Sequence, residues 1–179
     1  MKKLILLLVA QVSFFFTYAQ TVSFGNFKIG DQEIIYQKVF FEDSITISTL
    51  EQYYKTIPFV VDAVYTLDGL QFDINDLIID YKKFGFAQVG TPTIMQTGKF
   101  SGRVSIGVKD GRYRVTVKAI QLTGDLGSRK IVDKDNLTTY ACRNSGTILS
   151  PDWCRPNMLG LLDKTFTDKL QFKRSKDDW

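Results

Sequence analysis

The pattern of this chain predicts an α+β protein: an antiparallel sheet of about five strands, with one helix after the first strand and another near the end. Three observations lead there. Runs of β-branched and aromatic residues recur along residues 33–122, and Asp68-Gly69 and Asp110-Gly111 separate neighbouring runs, as the dipeptide that closes two-residue hairpins does. Helical spacing of apolar residues appears around residues 48–57 and 157–172. The 179 residues are 44% hydrophobic and 23% charged, which is enough apolar matter for one core and too little charge for a disordered chain.

Residues 22–29 read as a short strand before a Gly30-Asp31 turn. Glu33–Phe41 (EIIYQKVFF) follows as a strand that is apolar on both alternating sets. With Ile35, Val39 and Phe41 turned inward, Ile34, Tyr36 and Phe40 lie on the outer side, or under a C-terminal segment that brings Trp153 and Trp179. Ser48-Thr49-Leu50-Glu51 fits a capping box, in which the serine hydroxyl and the glutamate carboxylate satisfy free amides at a helix start. Leu50, Tyr53, Tyr54 and Ile57 form the buried face of that helix, and Pro58 stops it. Residues 59–67 are the next strand.

Residues 70–81 admit two readings. Leu70, Phe72 and Ile74 alternate, the phase slips at Asn75-Asp76, and Leu77, Ile79 and Tyr81 alternate again, as in a bulged strand. The rival is a short helix from Asp76 capped by Gly85; the bulged strand is preferred. Residues 82–96 read as a loop. Lys99–Lys109 and residues 112–122 then form a hairpin about Asp110-Gly111. The turn sets Lys109 opposite Arg112 and Arg103 opposite Lys118. One face then carries Phe100, Val104, Ile106 and Val108 against Tyr113, Val115, Val117 and Ala119, while the other carries Lys99, Arg103, Lys109, Arg112, Arg114 and Lys118. Residues 123–155 are polar and rich in turn formers. Residues 157–172 form an amphipathic helix on Met158, Leu159, Leu162, Phe166 and Leu170.

The order strand, helix, four strands, helix is that of the TATA-binding-protein-like (TBP-like) fold. KDGRYRVTV at 109–117, YKKFG at 81–85 and the closing DDW at 177–179 resemble an exported Bacteroidota family, a domain of unknown function assigned a TBP-like fold. The resemblance covers roughly residues 32–122. It implies a curved antiparallel sheet with helices on one face, and it implies no catalytic residues. A likeness of fold to a DNA-binding protein does not transfer DNA binding.

Residues 1–19 have the plan of a signal peptide: Lys2 and Lys3, an apolar run from Leu4 to Ala10, three phenylalanines, and Thr17-Tyr18-Ala19 before a cut at Gln20. The organisation expected is leader 1–19, core 20–122 and C-terminal segment 123–179, exported to the periplasm or beyond, with no transmembrane segment once the leader is gone. Loss of Lys2 and Lys3 removes two of the four surplus positive charges, and the modest remainder argues against nucleic acid as a partner. In an oxidising compartment Cys142 and Cys154 can pair, a staple worth about 3 kcal/mol by loop entropy.

There is no histidine, so Ser-His-Asp and Cys-His nucleophiles and histidine metal sites are out of reach. No cofactor and no metal site are expected. Asp73, Asp76 and Asp80 do not make a calcium loop, because Leu77 and Ile78 stand where a ligand and a glycine are needed. Two readings of function remain, beside a purely structural subunit with no ligand. The preferred one is a non-enzymatic module of the cell envelope whose Arg103, Arg112, Arg114 and Lys118 meet an anionic glycan, a lipid head group or an envelope protein; simple solvation of those charges is the plainer account of them. The other is a carboxylate-dependent hydrolase of envelope glycans, using two of Asp62, Asp73, Asp76 and Asp80.

Overall fold

In the computed structural model, which describes residues 22–67 and 69–174, the hairpin about Asp110-Gly111 forms the middle of the sheet. The expected leader, Asp68, and residues 175–179 with Trp179 lie outside the described residues. Asp110 and Gly111 take φ of 46° and 68°, the left-handed pair that lets a two-residue turn follow the twist of its strands. Strands β6 (Lys99–Lys109) and β7 (Arg112–Asp125) leave it in the expected register, from Lys109 opposite Arg112 to Arg103 opposite Lys118. Beyond that point the register shifts, Ala119 takes φ of 48°, and Ser101 faces Gln121.

That bulge corrects one expectation. Ala119, assigned to the core, is exposed, and Ile120 and Leu122 take up the buried phase. A matching shift lies across β6, on β5 (Gly69–Ile78), where Asp76 has φ of 52° between the Ile74 and Leu77 pairs. The phase slip at Asn75-Asp76 is therefore a bulge within one strand.

Among the described residues the sheet is antiparallel and has eight strands, more than the about five expected. Its order is β1 (Ser23–Phe24), β2 (Phe27–Gly30), β3 (Glu33–Phe41), β7, β6, β5 and β4 (Val60–Thr66). One side of β7 is taken by β6. The other is shared by β3, from Arg112 to Val117, and β8 (Lys130–Asn136), from Gln121 to Asp125. The extra strands are short or polar. Gly25 at φ of 59° breaks the first stretch into β1 and β2, and a Cβ there would strike the Asp163 carboxylate that holds the Asn26 backbone and side chain. In β8 only Ile131 is buried.

Two helices pack on one face of the sheet: α1 (Ile47–Lys55), and the last of the chain. Between them lie α2 (Thr93–Thr97), which begins inside the stretch expected to be loop, and α3 (Leu137–Ala141). A small hairpin follows, β9 (Cys142–Arg143) with β10 (Ile148–Leu149). The last helix, α4 (Leu159–Leu170), buries Leu159, Leu161, Leu162, Phe166 and Leu170. Phe166 meets Tyr36 and Phe27 of the sheet at 5.2 and 6.0 Å between ring centroids. Tyr54 of α1 packs at a tilt against Phe72, 4.7 Å between ring centroids, and donates its hydroxyl hydrogen to the Leu170 carbonyl.

This packing changes the expected faces of β3, although Ile35, expected inward, is itself buried. Ile34, Tyr36 and Phe40 point into the core, whereas Val39 and Phe41 are exposed on the face away from the helices. Alternation alone could not choose, since both sets are apolar. Docking of α4 decides it: the Tyr36 hydroxyl shares a hydrogen bond with Thr167, and Lys38 donates to the same oxygen.

The start of α1 also differs from the expectation. Thr46 is the N-cap and accepts from the Thr49 amide at 3.1 Å, so the box at Ser48–Glu51 is not used. Thr46→Ala is expected to cost about 1 kcal/mol in urea unfolding, while Ser48→Ala changes little; equal losses would contradict the assignment.

Candidate functional site

The bare face of the sheet is where the expected residues gather. Period-2 alternation along β6 and β7 sends Lys109, Arg112, Arg114, Arg103 and Lys118 to one side, and all are exposed. Ion pairs divide them. Arg103 Nε lies 3.2 Å from Asp73 Oδ1, and Lys118 reaches Asp31 only at 4.0 Å. Lys99 pairs with Asp76 at 3.0 Å. Lys109, Arg112 and Arg114 have no acidic partner within salt-bridge distance among the described residues. Of the expected cations, Arg103 and Lys118 thus have an acidic neighbour, whereas Arg112 and Arg114, with Lys109, have none among the described residues.

Register explains how apolar groups come to lie beside these cations. Phe41 is the cross-strand partner of Arg112, and Val39 that of Arg114. Phe41 is 80% exposed, a large apolar surface to leave in water. A hollow of about 300 Å³ opens among Val39, Gly107, Val108, Lys109, Arg112 and Arg114. Part of this was readable in advance, because the KDGRYR run sets its own register; the part played by Val39 and Phe41 was hidden by the ambiguity of β3.

A second hollow of about 230 Å³ sits over the paired bulges, lined by Asp73, Asn75, Ser101, Gly102, Arg103 and Gln121 among others. Of the four carboxylates weighed for hydrolysis it contains Asp73 alone. Asp76 is held by Lys99, Asp80 accepts from the Lys83 amide at 3.1 Å, and Asp62 lies exposed on β4. The structure does not bring them into one cleft. A third hollow, on the helix side, includes Lys38, Asp163, Thr167 and Asp168. Its groups are matched to one another. Asp163 accepts from Asn26 at 2.7 Å. Burial works against the Asp168 charge, yet hydrogen bonds from Lys83 and Lys173 outweigh it and hold that carboxyl below its ordinary range. Among the described residues no group of three His, Cys, Asp or Glu side chains could hold a metal ion.

The expected bridge between Cys142 and Cys154 is not formed; both thiols are free. Cys142 is fixed by pairing with Leu149 in the small hairpin, and Cys154 by its backbone N–H, which donates a hydrogen bond to the Ser150 carbonyl. Burial, then the neighbouring Cys154, pushes the Cys142 thiol up to about 11, and burial raises Cys154 as well. Both therefore stay protonated and poorly nucleophilic at neutral pH.

No protein-family model matches this chain, and no curated protein does. Among solved structures it is similar to a DUF4468 family protein from Bacteroides ovatus, with 13% identity, 82% of each chain covered and a TM-score of 0.41. That is a likeness and no more. No helix among the described residues is long and apolar enough to cross a membrane.

Proposed function

We propose that the chain is an exported, non-enzymatic binding module of the cell envelope that holds an anionic partner on the bare face of its sheet. The observation that carries this reading is the cluster of Lys109, Arg112 and Arg114, without an acidic partner among the described residues and bordered by exposed Val39 and Phe41. Like charges on adjacent strands repel by up to about 1 kcal/mol per close pair, so an arriving anion relieves a strain that the fold itself leaves in place. Export rests on the leader pattern of residues 1–19. A TBP-like core is part of the same proposal, in which β3, α1, β4, β5, β6, β7 and α4 follow the strand-helix-four strands-helix order.

The test is retention on a sulfated-polysaccharide matrix. K109S/R112S/R114S should elute at much lower salt than the parent protein, with at least a tenfold loss of affinity. K82S/K130S/K164S, which removes equal charge from exposed positions elsewhere, should stay within about twofold. Equal losses in both triple variants would reduce the cluster to generic surface charge and reject the site.

A further inference from the structure

We propose that Gly107 floors a seat for the head group of an anionic phospholipid, and that the bare face docks on a membrane surface at this corner. The inference rests on the binding face described above and names its partner.

Gly107 lies inside β6, and neither its backbone nor its packing requires glycine. Its φ is outside the left-handed region, and a Cβ built on it would meet nothing within 4 Å among the described residues. The contrast with its neighbours is sharp. A Cβ on Gly69 would lie 2.1 Å from the Ile106 carbonyl oxygen, and one on Gly102 would lie 3.0 Å from Val117. Those glycines are explained by close approach inside the protein; Gly107 is not. Glycine inside a strand gives up side-chain packing and conformational entropy, and where no bulge accounts for it, close approach of a ligand does.

What surrounds the vacant position fits an anion. Arg114 is directly opposite on β7, and the Lys109–Arg112 pair is the next on the same face. Together with Val39 they line the hollow of about 300 Å³, and no carboxylate of the described residues is among its lining. Two acids stand at the hairpin end: Asp110 in the turn, and Asp43, whose Oδ1 would be 3.5 Å from a Cβ on Gly111. Two guanidinium forks and one ammonium around a backbone floor suit the several oxygens of a phosphate.

Phe41 and Val39 decide between a soluble anion and a lipid. They stand beside Arg112 and Arg114 with 80% and 43% of their surface exposed. Apolar side chains placed next to phosphate-binding cations match the layering of a bilayer surface, where charge and hydrocarbon lie a few ångströms apart.

Cosedimentation of the full chain with vesicles tests this. Vesicles of 30% phosphatidylglycerol in phosphatidylcholine should bind at least tenfold more protein than phosphatidylcholine alone. Gly107→Val leaves the charge unchanged and suits a strand, so its thermal midpoint should not fall, yet vesicle binding should drop at least fivefold. Phe41→Ser should weaken vesicle binding at least fivefold more than it weakens retention on the sulfated matrix. If the parent binds the matrix but not the vesicles, or if Gly107→Val binds vesicles as well as the parent, the lipid seat is overturned while the anionic face stands. Binding of inorganic phosphate that Gly107→Val abolishes, without vesicle binding, would also overturn the lipid and identify a soluble phosphate instead. Failure of the cluster variants on the matrix is a separate result and strikes the binding face itself.

Discussion

Raised from pH 10 to pH 12, the protein is expected to unfold in one cooperative step, with the tyrosinate absorbance of its buried phenols appearing as the fold is lost. Tyr36, Tyr54 and Tyr113 are among the largest fully buried side chains, all on the helix-facing side of the sheet. Burial pushes each above its ordinary value of 10, Tyr113 up to about 12. Each hydroxyl is also committed: Tyr36 to Thr167, Tyr54 to the Leu170 carbonyl, and Tyr113 to the Phe172 amide. An ionised Tyr54 would further be repelled by Tyr113, Tyr53 and Tyr36. In the unfolded chain these phenols ionise near 10, whereas in the native state they keep their protons. Between the two values the native state binds more protons, so stability is intact below pH 10 and falls as pH rises. Each such group removes about 1.4 kcal/mol per pH unit, and three together roughly 4 kcal/mol, against the 5–15 kcal/mol typical of a domain. Tyrosinate absorbance and far-UV circular dichroism followed together check this. Full tyrosine ionisation with native dichroism would show that these phenols are not sealed in the core.

Phe166→Ala should have the largest effect of any single truncation named here, about 3–5 kcal/mol. Phe166 is fully buried and is the part of α4 that meets β2 and β3 through Phe27 and Tyr36. Its removal leaves a cavity where helix and sheet join, with little freedom to close, because the ends of α4 are tied separately. Asp163 holds Asn26 at one end, and Leu170 accepts from Tyr54 at the other. Phe166→Leu keeps most of the volume and should cost less than about 1.5 kcal/mol. Urea unfolding of the two variants measures the difference, and a loss under about 1 kcal/mol for alanine would mean that α4 is not a structural partner of the sheet.

How much of this was legible depended on how strongly each residue constrained its neighbours. Asp110-Gly111 admits one tight turn, so the pairing down to Arg103 and Lys118 followed from it. The bulge at Ala119 leaves no mark in the alanine itself. Its signal was the change of phase from Tyr113, Val115 and Val117 to Ile120 and Leu122, the same kind of slip that was read correctly at Asn75-Asp76. The face of β3 could not be read, because Glu33–Phe41 is apolar on both sides and its choice depends on a helix that comes much later in the chain. β8 was missed for the opposite reason: KIVDKDN shows little hydrophobic signal, and it is a strand because β7 outruns β3 and leaves backbone groups to be paired. In the candidate site the cations were legible and their neutralisation was not. Asp73 and Asp31 come from strand and turn positions whose approach to Arg103 and Lys118 is a matter of tertiary register.

The position of β3 bears on how the chain is made. Although it is an early strand, it pairs with β2 and with β7, so Tyr36 waits for Val117 before that flank is sealed. Until then a nine-residue segment, apolar on both sides, leaves the ribosome without its neighbour. Nascent chains of this protein are thus most vulnerable to sticking together during that interval of synthesis, and whatever shields them has to act before the central hairpin emerges.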